Sequence, residues 1–370
     1  MSTELFDGLP PALATRATRL FEEDTASSLL DLLELLEGTP GPHLERFATE
    51  LERRATQDDD HLAVAARAAL RLGNRLRETA PEAALGWLEK CLALSAPSDF
   101  QELASLWSTA AFRLHRRRNE QDPSRLLEVS RELLVRAKRY GAKDGALLLN
   151  TLDFASDTVA RLNATGRFVE AQDLAAELLT LEFNRRDDRQ LGPAAFALAE
   201  SGFAARKEGK LELARQRYEE ARALHAGAPG RREHEDDLAW LIAEQLYTAS
   251  LAKDLTAMLR LAEDFDREIP ERRGEEKRVS AERHYARALR ADALVHLGRL
   301  EEVDAALATI KTTEPNVGSL TGMVRARLAW ARGDFDGARK HARAVMKKYA
   351  NHETRCHDDL DAAQELLARP

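Results

Sequence analysis

Apolar residues recur along this chain at spacings of three and four, segment after segment, while runs that alternate apolar with polar residues are missing. Such a pattern lays one apolar stripe along each of a series of helices, so the expected class is all-α. The first segments are PPALATRATRLFEED (10–24), with prolines where a missing N–H costs nothing, then TASSLLDLLELLEG (25–38), with Thr25 or Ser27 as N-cap, and HLERFATELERRA (43–55). Helical pairs then follow: 61–72 with 81–95, 99–118 with 123–140, 143–163 with 167–182, and 190–208 with 211–226. Three more pairs, 234–252 with 254–268, 277–297 with 300–312 and 320–332 with 335–349, precede a last helix near 352–368. Breakers lie between pairs at Ala96-Pro97-Ser98, Gly192-Pro193, 227–230, Pro270 and 315–318.

The junctions inside the pairs are evenly placed. Gly166, Gly209, Gly298 and Gly333 each separate two apolar-periodic segments, and Asp122 and Lys253 are weaker members of the series. From Asp122 onward the steps are 44, 43, 44, 45 and 35 residues, by subtraction of the residue numbers. A fixed period of this size predicts one helical hairpin repeated and stacked, each contacting only its neighbours. The expected organisation is an N-terminal helical cap over 1–60, the hairpin array over 61–350 and a capping helix over 351–370.

Around Gly209 the spacing becomes specific: Gly202 lies seven residues before it, and Ala214, Tyr218 and Ala221 lie five, nine and twelve after. This resembles the tetratricopeptide repeat, in which small residues let the two helices of a hairpin approach and an aromatic wedges between hairpins. Residues 319–352 match through Ala326, Gly333, Phe335 and Ala338, and 152–182 through Gly166 and Ala171. In 284–312 Ala291 and Gly298 fit, while Val303 stands where the family prefers alanine. The long step resembles that of kinesin light chains, bacterial peptide-sensing regulators and the sensor domains of large bacterial transcription activators. The resemblance implies a right-handed α-solenoid of about seven hairpins whose leading helices line a concave groove. It implies a bacterial, non-enzymatic scaffold or adaptor that holds a peptide or helix of another protein. Two alternatives are a peptide sensor whose superhelix changes pitch on binding and a structural subunit of a larger assembly.

Composition narrows the partners. The 370 residues are 44% hydrophobic, enough to build a core, and the net charge of −8 disfavours nucleic acid and anionic lipid. Only Cys91 and Cys356 occur, far apart, which argues against a disulfide framework. Nowhere do about 18 apolar residues run together, and no signal-peptide pattern opens the chain, so a cytoplasmic location is expected.

Catalytic signatures are missing: there is no GxxxxGK[ST], GxGxxG, GxSxG or HExxH, so no enzyme activity and no cofactor is expected. The acidic clusters 58–60, 236–237 and 358–359 sit beside helix starts, where carboxylates suit the dipole. His352, Cys356 and His357 in HETRCH, with His341, are residue types that bind zinc, but their spacing matches no familiar site and a solvated closing helix accounts for them, so no metal is expected.

Counting in register from each junction, the groove-facing positions are Phe112, Arg116, Asn163, Phe196, Phe203, Arg206, Lys207, Trp240, Tyr247, Tyr285, Arg327 and Trp330. Aromatics and arginines anchor interfaces because they bury much area at low entropy cost and pair with carboxylates. The competing role for these aromatics is packing between neighbouring hairpins, and Tyr218 is expected in the core. Over 321–358, nine Arg or Lys stand against four Asp or Glu, which favours an acidic partner or else marks an ordinary solvated face.

Overall fold

A computed structural model describes residues 5–39, 42–54, 59–96, 100–118, 121–184, 187–226, 235–271, 277–311, 314–350 and 356–369. All regular structure among them is helical. The first nine helices are α1 (Pro11–Glu23), α2 (Ala26–Glu37), α3 (His43–Arg54), α4 (Asp59–Arg75), α5 (Pro81–Ser95), α6 (Gln101–Arg118), α7 (Pro123–Tyr140), α8 (Gly145–Ala164) and α9 (Phe168–Leu178). The next nine are α10 (Asp188–Lys207), α11 (Leu211–Ala226), α12 (Glu235–Leu251), α13 (Leu255–Glu268), α14 (Lys277–His296), α15 (Leu300–Ala308), α16 (Pro315–Ala331), α17 (Phe335–Tyr349) and α18 (Cys356–Ala368).

Contacts gather these helices into two compact units: Met1–Thr165 with Ala176–Phe183, and Gly166–Ala175 with Asn184–Pro370. In the first unit, α4 packs on α5, α5 on α6 and α7 on α8, and the leading helices α2, α4, α6 and α8 touch in succession. Its core runs through Phe6, Phe21 and Phe47, whose rings meet edge to face at 5.9 and 6.2 Å. In the second unit α10 pairs with α11, α12 with α13, α14 with α15 and α16 with α17. Each trailing helix also leans on the next leading helix, and α10, α12, α14, α16 and α18 touch in succession. Each unit is therefore a stack of helical hairpins, the all-α solenoid packing that the period predicts.

The turns explain the period. Gly166, Gly209, Gly298 and Gly333 have φ of 77°, 76°, 71° and 81°, the left-handed region where only glycine rests without strain. In four turns a backbone N–H reaches back to the carbonyl five residues earlier: Lys210 to Ala205, Asp254 to Ala249, Arg299 to Leu294 and Asp334 to Ala329, each at 2.9 Å. These bonds satisfy carbonyls that the helix end leaves open. Lys253 sits in the second of these turns with φ 56°, so the weaker junction has the same geometry without glycine. Asp122 does not: it is the N-cap of α7, with φ −71° and its carboxylate accepting from the Ser124 N–H at 3.0 Å.

Lys253→Gly is expected to stabilise the protein by about 1 kcal/mol. The left-handed penalty of about 1–2 kcal/mol for an L residue disappears, less the entropy that glycine adds to the unfolded chain. Thermal unfolding monitored by circular dichroism checks this; a lower midpoint would mean that the packing of the lysine stem outweighs the strain.

Several boundaries depart from the sequence expectation. Helix α10 begins at Asp188, ahead of Gly192-Pro193, because burial of Leu191, Ala194 and Ala195 carries the helix through the proline. Helix α16 begins at Pro315 and absorbs the expected 315–318 break. Gly318 and Gly322 lie within it where an added Cβ would come 2.1 Å from the Tyr349 hydroxyl and 2.4 Å from Val345 Cγ2, so they serve close approach of α17 rather than a turn. Helix α9 ends at Leu178, short of 182. Asp359 is buried and accepts from Ser319 Oγ at 2.7 Å, a core role rather than a helix-dipole one. His352 and the side chains of Cys356 and His357 lie outside the described residues.

Candidate binding clefts

In the second unit the aromatic positions on the leading helices pair across neighbours. Phe196 of α10 meets Trp240 of α12 at 6.4 Å between ring centroids, and Tyr247 of α12 meets Tyr285 of α14 at 6.4 Å. Phe196, Trp240 and Tyr247 are half-buried, each keeping part of its ring at the surface. Tyr285 is buried, 5% exposed, and belongs to the packing between helices rather than to an open groove. Phe203 touches Phe168 edge to face at 6.5 Å and carries the exposed Lys207 ammonium 5.5 Å from its centroid.

Arg206 is the second correction to the expected groove. Its side chain is 6% exposed and donates to Glu244 Oε2 at 2.7 Å, with Glu244 2% exposed. The guanidinium lies between Phe203 and Tyr247, 5.1 and 4.7 Å from their centroids. Burial, the largest single influence, works against its charge, but the Glu244 carboxylate together with Tyr218 and Tyr247 overcomes it and holds its pKa above that of an ordinary arginine. This arginine is spent on the core. Asn163 is likewise buried.

The last two expected positions, Arg327 and Trp330, share a pocket of about 720 Å³ built by the leading helices α12, α14, α16 and α18 and the start of the trailing helix α13. Met258, Met323 and Leu366 form its apolar floor, and Trp330 stands as a half-buried wall against Phe335, 4.8 Å away edge to face. Arg369 lies 5.6 Å over the Trp330 ring. Arg327 donates to Asp292 Oδ1 at 2.5 Å, and His296 Nε2 sits 3.7 Å from Asp292 Oδ2. The Arg327–Asp292 pair balances its own charge, which leaves Lys253, Arg369 and Glu365 to set the charge of the rim. Methionine and tryptophan floors adapt to varied apolar side chains, and a rim with two cations and one carboxylate favours acidic flanks.

In the first unit Phe112 and Arg116 line a cleft of about 610 Å³ together with Asn74, Arg77 and Arg113. Helices α4 and α6 bring these residues together. The Arg116 guanidinium is 5.7 Å from the Phe112 centroid. Arg113 is half-buried, and burial, followed by the like charge of Arg77, holds its pKa below the ordinary value. On α8, burial raises the carboxyl pKa of Asp153 and Asp157, while Arg116 pulls both back down. Arg113 lies three residues before Arg116, hence on the same helix face, a signal that register counting from the junction alone did not use.

Cys91 is buried and its thiol pKa is pushed up to about 12 by burial, which disfavours the reactive thiolate. Among the described residues no group of three or more His, Cys, Asp or Glu has a metal-holding arrangement, and no helix is long and apolar enough to cross a membrane.

No protein-family model matches the chain, and no curated protein does. Among solved structures the chain is similar to the crystal structure of the P58(IPK) TPR domain, at 14% sequence identity over 96% of this chain and 97% of that one, with a TM-score of 0.29.

Proposed function

We propose that this protein is a non-enzymatic interaction module that holds a peptide or helix of another protein. The observation that carries the reading is the second unit's pocket, where Met258, Met323 and Leu366 form an apolar floor beside Trp330. A large apolar side chain of the partner fills the floor, and Lys253 and Arg369 meet carboxylates flanking it. Phe196, Trp240 and Tyr247 extend the same run of leading helices and give a longer segment further contact. Helix α18 closes the row, with Leu360, Ala363 and Leu366 inward and the exposed Asp361, Gln364 and Glu365 outward.

Selection from a random displayed-peptide library against the full chain tests the proposal. The expected sequences carry Leu, Phe or Trp flanked by Asp or Glu. Trp330→Ala is expected to weaken the selected peptide by about 30-fold or more while the helical circular-dichroism spectrum is retained. Peptides without that pattern, or peptides that bind the Trp330→Ala protein as well as the parent, would overturn it.

A further inference from the structure

The first unit's cleft has an electrostatic property that a peptide pocket does not require. Three arginines, Arg77, Arg113 and Arg116, line it together with Asn74. Among the described residues neither Arg113 nor Arg116 has a carboxylate within ion-pair distance, whereas arginines such as Arg67, Arg71, Arg118, Arg206 and Arg222 do. Arg77 has only the exposed neighbour Glu78, a pair worth little in water. Arg113 is half-buried with like charge beside it, an arrangement that costs free energy in the empty protein and is relieved by an anion.

We propose that this cleft binds a phosphomonoester. A single carboxylate brings one negative charge and two oxygens, whereas a phosphomonoester brings close to two charges and three acceptor oxygens, which matches three guanidinium forks and an amide. Guanidinium is also the group that grips phosphate in bidentate fashion, and the cluster contains no lysine. Phe112, half-buried at the edge of the cleft, offers its ring to the apolar part of the ligand that carries the phosphate. On the α8 side Asp153 and Asp157 face Arg116 and repel further negative charge, so the phosphate seats against α4 and α6 and the remainder of the ligand is neutral or basic.

The test is calorimetric titration of the full chain with three probes at neutral pH: a short phosphoserine peptide with a basic flank, adenosine monophosphate, and inorganic phosphate. Saturable binding of at least one is expected. Arg113→Gln and Arg116→Gln each weaken it by about tenfold or more, and Arg113→Lys, which keeps charge and stem but loses the fork, also weakens it. Asp157→Asn tightens it, and Trp330→Ala leaves it unchanged, which separates this site from the pocket of the second unit. The tightest probe names the source: a modified protein segment, a nucleotide or the free anion. The proposal is overturned if no probe binds in the millimolar range, if the arginine variants bind like the parent while retaining its melting temperature, or if the same peptide with glutamate in place of phosphoserine binds equally well.

Discussion

Replacing Glu244 with alanine is expected to lower the stability of the protein by about 3–5 kcal/mol. Glu244 and Arg206 are both almost fully removed from solvent and meet at 2.7 Å. Tyr218 donates to the same Glu244 oxygen at 3.5 Å. Water that would solvate the guanidinium has been replaced by the rings of Phe203 and Tyr247 and by one carboxylate. Removing that carboxylate strands a cation in the interior and takes the acceptor from a phenol that burial, with Glu244 second, already holds far above its ordinary pKa. The double variant Arg206→Met/Glu244→Leu removes both charges at similar volume and is expected to lie closer to the parent than either single change. Urea unfolding midpoints of the single and double variants decide it. If Glu244→Ala costs no more than an exposed ion pair, water reaches Arg206 and the buried network is wrong.

The same network shows why the architecture was legible in the sequence and the site only in part. Turn positions follow from local chemistry: glycine where φ must be positive, aspartate where a helix begins, and a period that repeats both. Those signals are carried by single residues, and they placed five of the six junctions, Lys253 among them, while Asp122 is a helix N-cap. Whether an arginine on a leading helix faces a ligand or the core depends on what the neighbouring leading helix, before or after it in the chain, places opposite. Arg206 has Glu244 opposite and is buried; Arg327 has Asp292 and stays half-open; Arg116 has only distant carboxylates and remains exposed. Counting from the turn cannot distinguish the three.

Interior glycines show the same limit. Gly202 was legible because its partner Tyr218 sits at the spacing of the repeat it resembles, whereas Gly318 looked like a break and Gly322 an ordinary helix position, since nothing nearby in sequence announces Tyr349 and Val345. Arg369, at the far end of the chain, reaches the Trp330 pocket only through the packing of α18 on α16.

Tyr218→Ala is the second change expected to cost about 3–5 kcal/mol, the range for deleting a large aromatic from a core. Its ring is fully buried and fills the space that Gly202 leaves open on α10. Tyr218→Phe keeps that volume and forfeits only the long bond to Glu244, so about 1 kcal/mol is expected. The partner glycine gives a sharper reading. A Cβ at position 202 would meet three Tyr218 ring carbons at 3.1–3.2 Å, so Gly202→Ala in the parent displaces the wedge and is expected to cost about 1–3 kcal/mol. Without the ring the obstruction is gone, while alanine still improves the helix over glycine by about 1 kcal/mol and fills part of the void. In the Tyr218→Ala background the same substitution is therefore expected to stabilise. A double-mutant cycle of unfolding free energies measures this change of sign. Equal destabilisation by Gly202→Ala in both backgrounds would mean that the glycine serves the backbone of α10 alone, and that Tyr218 does not set how closely the two helices of this hairpin approach.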